Sequence, residues 1–197
     1  MLGRLPAGIG HALRDVRPGL SKLMYFSPEF AGVPESIAVL SPAFEDGWSI
    51  PERYTSDGEG ISPPLVWSGV PEAASSMVLL VEDIDSPTPR PLVHAIVWNL
   101  PGADGVLPDG AISADSGVDE LVLGRNSGLK AAWLPPDPPP GHGTHRYAFQ
   151  LFALDTPAGF KRKPGRAALL KAMRGNAIAK GCLIGTYGRS ARVRKPS

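Results

Sequence analysis

Beyond residue 36 the chain is a series of short apolar runs broken by turn residues, whereas the first 26 residues follow a different rhythm. There Leu2, Leu5, Ile9, Leu13, Val16, Leu20 and Leu23 recur at steps of three or four, the spacing that lines one face of a helix. Pro6, Pro18 and four glycines oppose that helix. After a loop over 27–36, Ile37–Leu40 reads as a strand. Asp57-Gly58-Glu59-Gly60 and Ser62-Pro63-Pro64 read as a turn followed by an extended segment. Met77–Val81 is a continuous apolar run, short and rich in branched residues, which suits a strand covered on both faces. His94–Leu100 is a second such run. The stretch 104–117 reads as a loop with Pro108-Asp109-Gly110 as its turn, and Leu121–Leu123 follows as a brief apolar run.

Between Gly124 and Gly143 the prolines at 135, 136, 138, 139 and 140 cannot donate to a ladder, so this stretch must cross the surface or rim a site. From Tyr147 to Asp155 two sets of side chains alternate as on a strand. Arg166–Arg174 is the best helix in the body of the chain, with Leu169, Ala172 and Met173 on one face and Gly175-Asn176 as its stop. No internal repeat is present. The pattern predicts a fold dominated by β-structure, divided into a helical extension with its loop over 1–36 and one β-rich domain over 37–197.

Composition sharpens this picture at a few points. A hydrophobic share of 43 % in 197 residues suffices for one core, and the 23 glycines and 22 prolines are dispersed between apolar runs, as many tight turns require. A net charge of +1 argues against nucleic acid as a partner. Four basic residues against one acidic one in the first 26 raise a membrane-surface role, but the modest apolar stripe favours packing on the chain's own domain or on a second copy in a homodimer. Cys182 stands alone in an apolar stretch and reads as core filler. Neither a secretory leader nor a run of about 20 apolar residues is evident, so a cytoplasmic protein is expected.

Candidate chemistry comes from three places. Asp83 and Asp85, two apart at the end of the Met77–Val81 run, are expected on one side, where close carboxylates call for donors or cations around them. An Asp-x-Asp can also do no more than cap its own turn. His94 opens an apolar strand, expected on one side with Ile96 and Trp98; alone it reads as a core histidine. In His145-Arg146-Tyr147 the first and third residues share a face and Arg146 takes the other, where a salt bridge beneath the pocket is expected. Together, polar groups at the ends of three strands make a small polar pocket. His142, between Gly141 and Gly143, reads as a mobile loop residue, and Arg189, Arg192, Arg194 and Lys195 as a solvated basic tail.

The stretch Val-Glu-Asp-Ile-Asp-Ser-Pro over 81–87, with His94 downstream on a strand ending in Asn99-Leu100-Pro101, resembles the first signature region of the phosphatidylethanolamine-binding family. Pro139-Pro140-Gly141-His142-Gly143-Thr144-His145-Arg146-Tyr147 is similar to its second region. Tyr54-Thr55-Ser56-Asp57-Gly58, Ser62-Pro63-Pro64-Leu65-x-Trp67 and Leu183-x-Gly185-x-Tyr187 resemble markers of its bacterial branch, often called Raf kinase inhibitor-like. The resemblance runs from about Ile37 to Arg189. It lacks the family's tryptophan just before His94 and its Gly-Tyr-x-Gly-Pro wording over 128–133. It implies a two-sheet antiparallel β-sandwich with a few peripheral helices and an anion pocket near the strand ends. Asp83, Asp85, Pro87, His94, His145 and Tyr147 would surround that pocket, with Asp57 and Gly58 as a supporting turn and Arg146 beneath.

The expected role is non-catalytic capture of phosphate or a phospholipid head group, and possible regulation through it, with neither cofactor nor metal. His145, Tyr147 and His94 would donate to the anion, while the carboxylates orient a histidine or accept from an ammonium group. Two alternatives stay open. One is a metal-dependent or acid–base hydrolase using Asp83, Asp85, His94 and His145, although no His-Glu-x-x-His or Gly-x-Ser-x-Gly motif is present. The other is inhibition of a kinase or protease through protein–protein contact.

Overall fold

The computed structural model describes residues 2–113 and 121–189. Arg192, Arg194 and Lys195 lie outside these, as does the end of the 104–117 loop. Among the described residues eight strands form two antiparallel sheets. The smaller has the order β1 (Ala38–Leu40), β2 (Leu65–Ser68), β5 (Gly105–Leu107). The larger runs β6 (Val122–Leu123), β4 (Leu92–Pro101), β3 (Ser76–Asp83), β7 (His145–Leu154), β8 (Ala177–Tyr187). β3 is central, and all eight of its residues are buried, which explains its unbroken apolar run.

Parity sorts the side chains of the larger sheet. Met77, Leu79 and Val81 of β3 join Tyr147, Phe149 and Leu151 of β7 and face Val39, Leu65, Trp67 and Leu107 of the smaller sheet, forming the core between the sheets. Val78, Leu80 and Phe152 point the other way, and that face is covered by Leu23, Met24, Tyr25, Phe30 and helix α2 (Arg166–Met173) through Leu169 and Met173. The two-sheet sandwich expected from the sequence is therefore present.

The N-terminal stretch departs from the single helix that its periodicity predicts. Only α1 (Ala7–Ala12) is α-helical; Leu2–Arg4, Leu20–Lys22, Met24–Phe26 and Pro28–Phe30 are single 3₁₀ turns. Pro6 and Pro18 confine α1, and Gly19 turns the chain with φ +79°. Residues 22–30 are anchored on the sheet by buried polar groups. Glu82 accepts from the Met24 amide at 3.0 Å, from Gln150 Nε2 at 2.9 Å and from Arg166 Nε at 2.5 Å, while Lys180 Nζ donates to the carbonyls of Tyr25 and Phe30 at 3.1 Å each. No helix among the described residues is long and apolar enough to cross a membrane.

Candidate functional site

β3, β4 and β7 end side by side, and the ladder brings their polar residues together. Asp83 is opposite both Leu92 of β4 and Tyr147 of β7, and His145 lies two residues before Tyr147 on the same face. On β4 the pairing passes from Val81–Ala95 to Glu82–Val93, so His94 is an extra, bulged residue. The bulge overturns the expectation that His94 shares a side with Ile96 and Trp98. Ile96 packs under the N-terminal stretch, whereas the His94 ring lies edge-on to Tyr147 at 5.1 Å and beside Trp133.

A pocket of about 250 Å³ opens here, lined by Leu2, Ser56, Asp83, Leu92, His94, Ser127, Gly128, Leu134, Pro135 and Asp137. Local hydrogen bonds fix its walls. Asn126 Oδ1 accepts from the amides of Gly128 and Lys130, shaping the turn that presents Ser127. Ser127 Oγ accepts from the Val93 amide at 2.8 Å, and the Leu134 amide donates to the His94 carbonyl at 2.8 Å. Across the opening, Ser56 Oγ donates to Asp137 at 2.8 Å. The proline-rich stretch thus contributes pocket lining through Pro135 and Asp137.

The protonation pattern follows from the hydrogen bonds. His94 Nδ1 lies 2.5 Å from the Leu134 carbonyl, which can only accept, so the proton of the neutral ring is at Nδ1. Nε2 then carries a lone pair, and it has no partner among the described residues. Burial holds His94 below the ordinary imidazole range, against the pull of Asp83 and the Leu134 carbonyl. The Tyr147 hydroxyl is buried without a partner too, and burial, reinforced by Asp83, pushes its pKa well up, so it remains a phenol able to donate. Unpaired buried polar atoms cost free energy and call for an explanation; His94 lines the pocket, whereas Tyr147, fully buried against the His94 ring, lies behind the lining.

His145 is placed differently from its expected role as a direct donor. It is fully buried and does not line the pocket: Nδ1 is 2.8 Å from Asp83 Oδ2, and Nε2 is 2.7 Å from Nδ1 of His142. His142 is buried at 1 % exposure, which corrects its reading as a mobile loop residue; flanking glycines, with φ +82° at Gly141 and +96° at Gly143, fold it inward.

Asp83 and Asp85 separate because β3 ends at Asp83 and the chain turns, with the Asp85 amide donating to Asp83 Oδ1 at 2.9 Å. Asp85 receives Arg146 Nε at 2.7 Å and Nη2 at 2.8 Å, and Arg17 approaches it to 3.1 Å. Burial opposes ionisation of Asp85, but hydrogen bonds from Arg146 and then Arg17 outweigh it and leave its pKa lowered. Neither Asp85 nor Pro87 lines the pocket; the charge pair beneath it is Arg146–Asp85.

Asp57 accepts from Arg189 Nε at 2.7 Å and from Tyr187 at 2.6 Å, next to Ser56, and Gly58 lies so close to the Glu52 carbonyl that a side chain there would collide. Arg189, expected in a solvated tail, also donates to Pro138 O at 2.6 Å and pairs with Asp137 at 2.9 Å. No pattern along the chain marks Leu2, Leu92, Ser127 or Leu134 as lining, since they come from separate segments that meet only in the fold. The ion pair of Asp57 and Arg189 is likewise visible only once β8 is placed.

A family model described as phosphatidylethanolamine-binding protein matches residues 40–188. A UPF0098 protein of Methanothermobacter thermautotrophicus is 39 % identical over 147 residues, covering 75 % of this chain and 95 % of the relative. One from Chlamydia pneumoniae is 41 % identical over 157 residues, covering 77 % and 99 %. Among solved structures, a putative phosphatidylethanolamine-binding protein homolog from Chlamydia trachomatis superposes with TM-score 0.71 at 37 % identity, and Escherichia coli YbcL, described as a new member of the mammalian family, with 0.73 at 28 %; each match covers 79 % of this chain and 99 % of the other. The chain belongs to the phosphatidylethanolamine-binding protein family.

Proposed function

We propose that this protein captures a small phosphorylated, zwitterionic head group without chemically altering it. The observation that carries this reading is the pair of buried polar atoms unpartnered among the described residues, His94 Nε2 on a residue of the pocket lining and Tyr147 Oη on the ring packed against His94, at a pocket that also holds two carboxylates. A phosphate oxygen would accept from the Tyr147 hydroxyl and from Nε2 once that nitrogen takes up a proton. An ammonium group would lie toward Asp83 and Asp137. Leu2, Leu92, Leu134 and Pro135 suit a short apolar continuation, and about 250 Å³ is below the roughly 300–1,000 Å³ of sites for larger ligands, which fits a head group rather than a whole lipid.

Capture on these terms takes up a proton, because the free ring is held neutral by burial and the bound ring must donate. Affinity therefore falls as pH rises through the bound-state pKa, by up to about tenfold per pH unit. Calorimetry with glycerophosphoethanolamine, whose phosphodiester keeps one charge between roughly pH 5 and pH 9, isolates this dependence. Tyr147→Phe is expected to weaken binding about tenfold while leaving the unliganded fold as stable or slightly more so, since the lost hydroxyl has no protein partner. No heat of binding at any pH overturns the proposal. Acid–base hydrolysis is the second reading, favoured by the lone pair at His94 Nε2; recovery of cleaved rather than intact glycerophosphoethanolamine would select it.

A further inference from the structure

Residues 2–17 precede the stretch matched by the family model, yet they are built into the surroundings of the pocket. Leu2 is part of its lining. Gly10, the one buried residue of α1, lies against Pro140 so closely that a methyl group there would run into the Pro140 carbonyl. A side chain at Gly141 would meet the His11 ring. Arg17 donates to the His142 carbonyl at 2.7 Å and to the Thr144 carbonyl at 3.0 Å. Most other side chains from Ala7 to Arg17 are exposed, in contrast to the buried anchors at 23–30, so this is a segment able to open locally.

What holds it is a chain of hydrogen bonds with an unusual proton count. The Leu13 carbonyl, 2.8 Å from His142 Nε2, can only accept, so Nε2 carries a hydrogen. The contact between His142 Nδ1 and His145 Nε2 needs a second, and that between His145 Nδ1 and Asp83 Oδ2 a third. An ionised carboxylate and two neutral imidazoles supply two. The seated segment therefore retains one proton more than these groups carry as separate neutral rings and a free carboxylate. Burial, and then the neighbouring His145, hold His142 low, which makes His142 the neutral ring.

We propose that residues 2–17 are a cover on the pocket, pivoting at Pro18-Gly19 and held shut by the extra proton in the Asp83–His145–His142 chain, so that alkaline solution opens it. Loss of that proton sets two lone pairs against each other at one contact, and the link to Leu13, the least enclosed, gives way. The other ionisable groups around the chain are Asp85 on the turn after β3, His94 on β4, Arg146 and Tyr147 on β7, His11 and Arg17 on the segment itself, and Asp137 and Arg189 at the pocket rim. Of these His11 is exposed and sits on the cover, so it is the competing source of a pH effect.

The proposal rests on the pocket described above but not on its guest, and hydrogen–deuterium exchange of the full chain without ligand reads it separately from calorimetry. With exchange times scaled for intrinsic chemistry, protection of the amides in 2–17 should fall about tenfold or more between roughly pH 5 and pH 9, while β3 and β7 stay unchanged. His142→Phe should abolish that trend, His11→Gln should retain it, and Gly10→Ala should leave the segment open throughout. A trend that is absent in the wild type, survives in His142→Phe or disappears in His11→Gln overturns the proposal. If His142→Phe unprotects β3 and β7 as well, NMR of the wild-type side chains at low pH decides: three hydrogens over Asp83, His145 and His142, as one doubly protonated ring or as a protonated Asp83 carboxyl with two neutral rings, support the cover, and two neutral rings beside an ionised Asp83 overturn it.

Discussion

Arg146 shows how much a single side chain does beneath the site. Its guanidinium meets the buried Asp85 carboxylate through two nitrogens, and its own amide donates to Asp85 Oδ2 at 3.0 Å. Stranding a buried charge costs about 3–5 kcal/mol, but Arg17 remains 3.1 Å away after truncation, so Arg146→Ala is expected to cost on the order of 2 kcal/mol in urea denaturation. The pH profile gives a second check. Because the folded-state pKa of Asp85 is lowered, its contribution is present above the unfolded carboxylate value near ~3.9 and is lost as pH falls through the lower folded value. Arg146→Ala should flatten that acid-side loss. Opposite faces for His145 and Arg146 were legible from strand parity alone. The second partner of His145, by contrast, was not, because it is His142, which enters from a loop whose composition suggested mobility.

At the level of elements, the anchoring of residues 23–30 dominates one face of the larger sheet. Phe30 is fully buried and packs 5.0 Å from the Phe152 ring. Phe30→Ala is expected to cost about 3–5 kcal/mol, seen as a lower denaturation midpoint with the β-sheet signal retained below it. The sequence read β3, β7 and α2 well because each has a continuous or periodic apolar pattern. Three strands escaped it for physical reasons. β2 and β5 are short and bury alternate residues of an edge-rich sheet, and β5 sits inside what composition marks as a loop. β8 contains Lys180, Gly181 and Gly185, which read as breaks; Lys180 is buried against carbonyls, and both glycines make room for neighbouring segments, Gly181 for the Ile37 backbone and Gly185 for Ile50 and Phe44. The bulge at His94 was invisible for a related reason: an extra residue in a ladder is defined by its partner strand, not by its own sequence.

Across the whole molecule, the two sheets enclose one core while the N-terminal stretch and α2 close a second, and no disulfide supports either, since the chain has a single cysteine. Burial pushes the Cys182 thiol up to about 12, so almost none of it is thiolate near neutrality. Reaction with an aromatic disulfide reagent should be at least about tenfold slower in the native protein than in denaturant, because the half-buried thiol is held protonated. The β3–β7 ladder carries a further consequence. Asp83 faces Tyr147 across it, and the neighbours of Tyr147 alternate between imidazole and guanidinium. Slippage by a single rung would swap His145 for Arg146 on the inner face, burying a permanent cation in the core and ejecting the ring that Asp83 needs. A misaligned β3–β7 pair would thus be penalised at the same place where recognition is built, so proofreading of the fold and assembly of the site are one event.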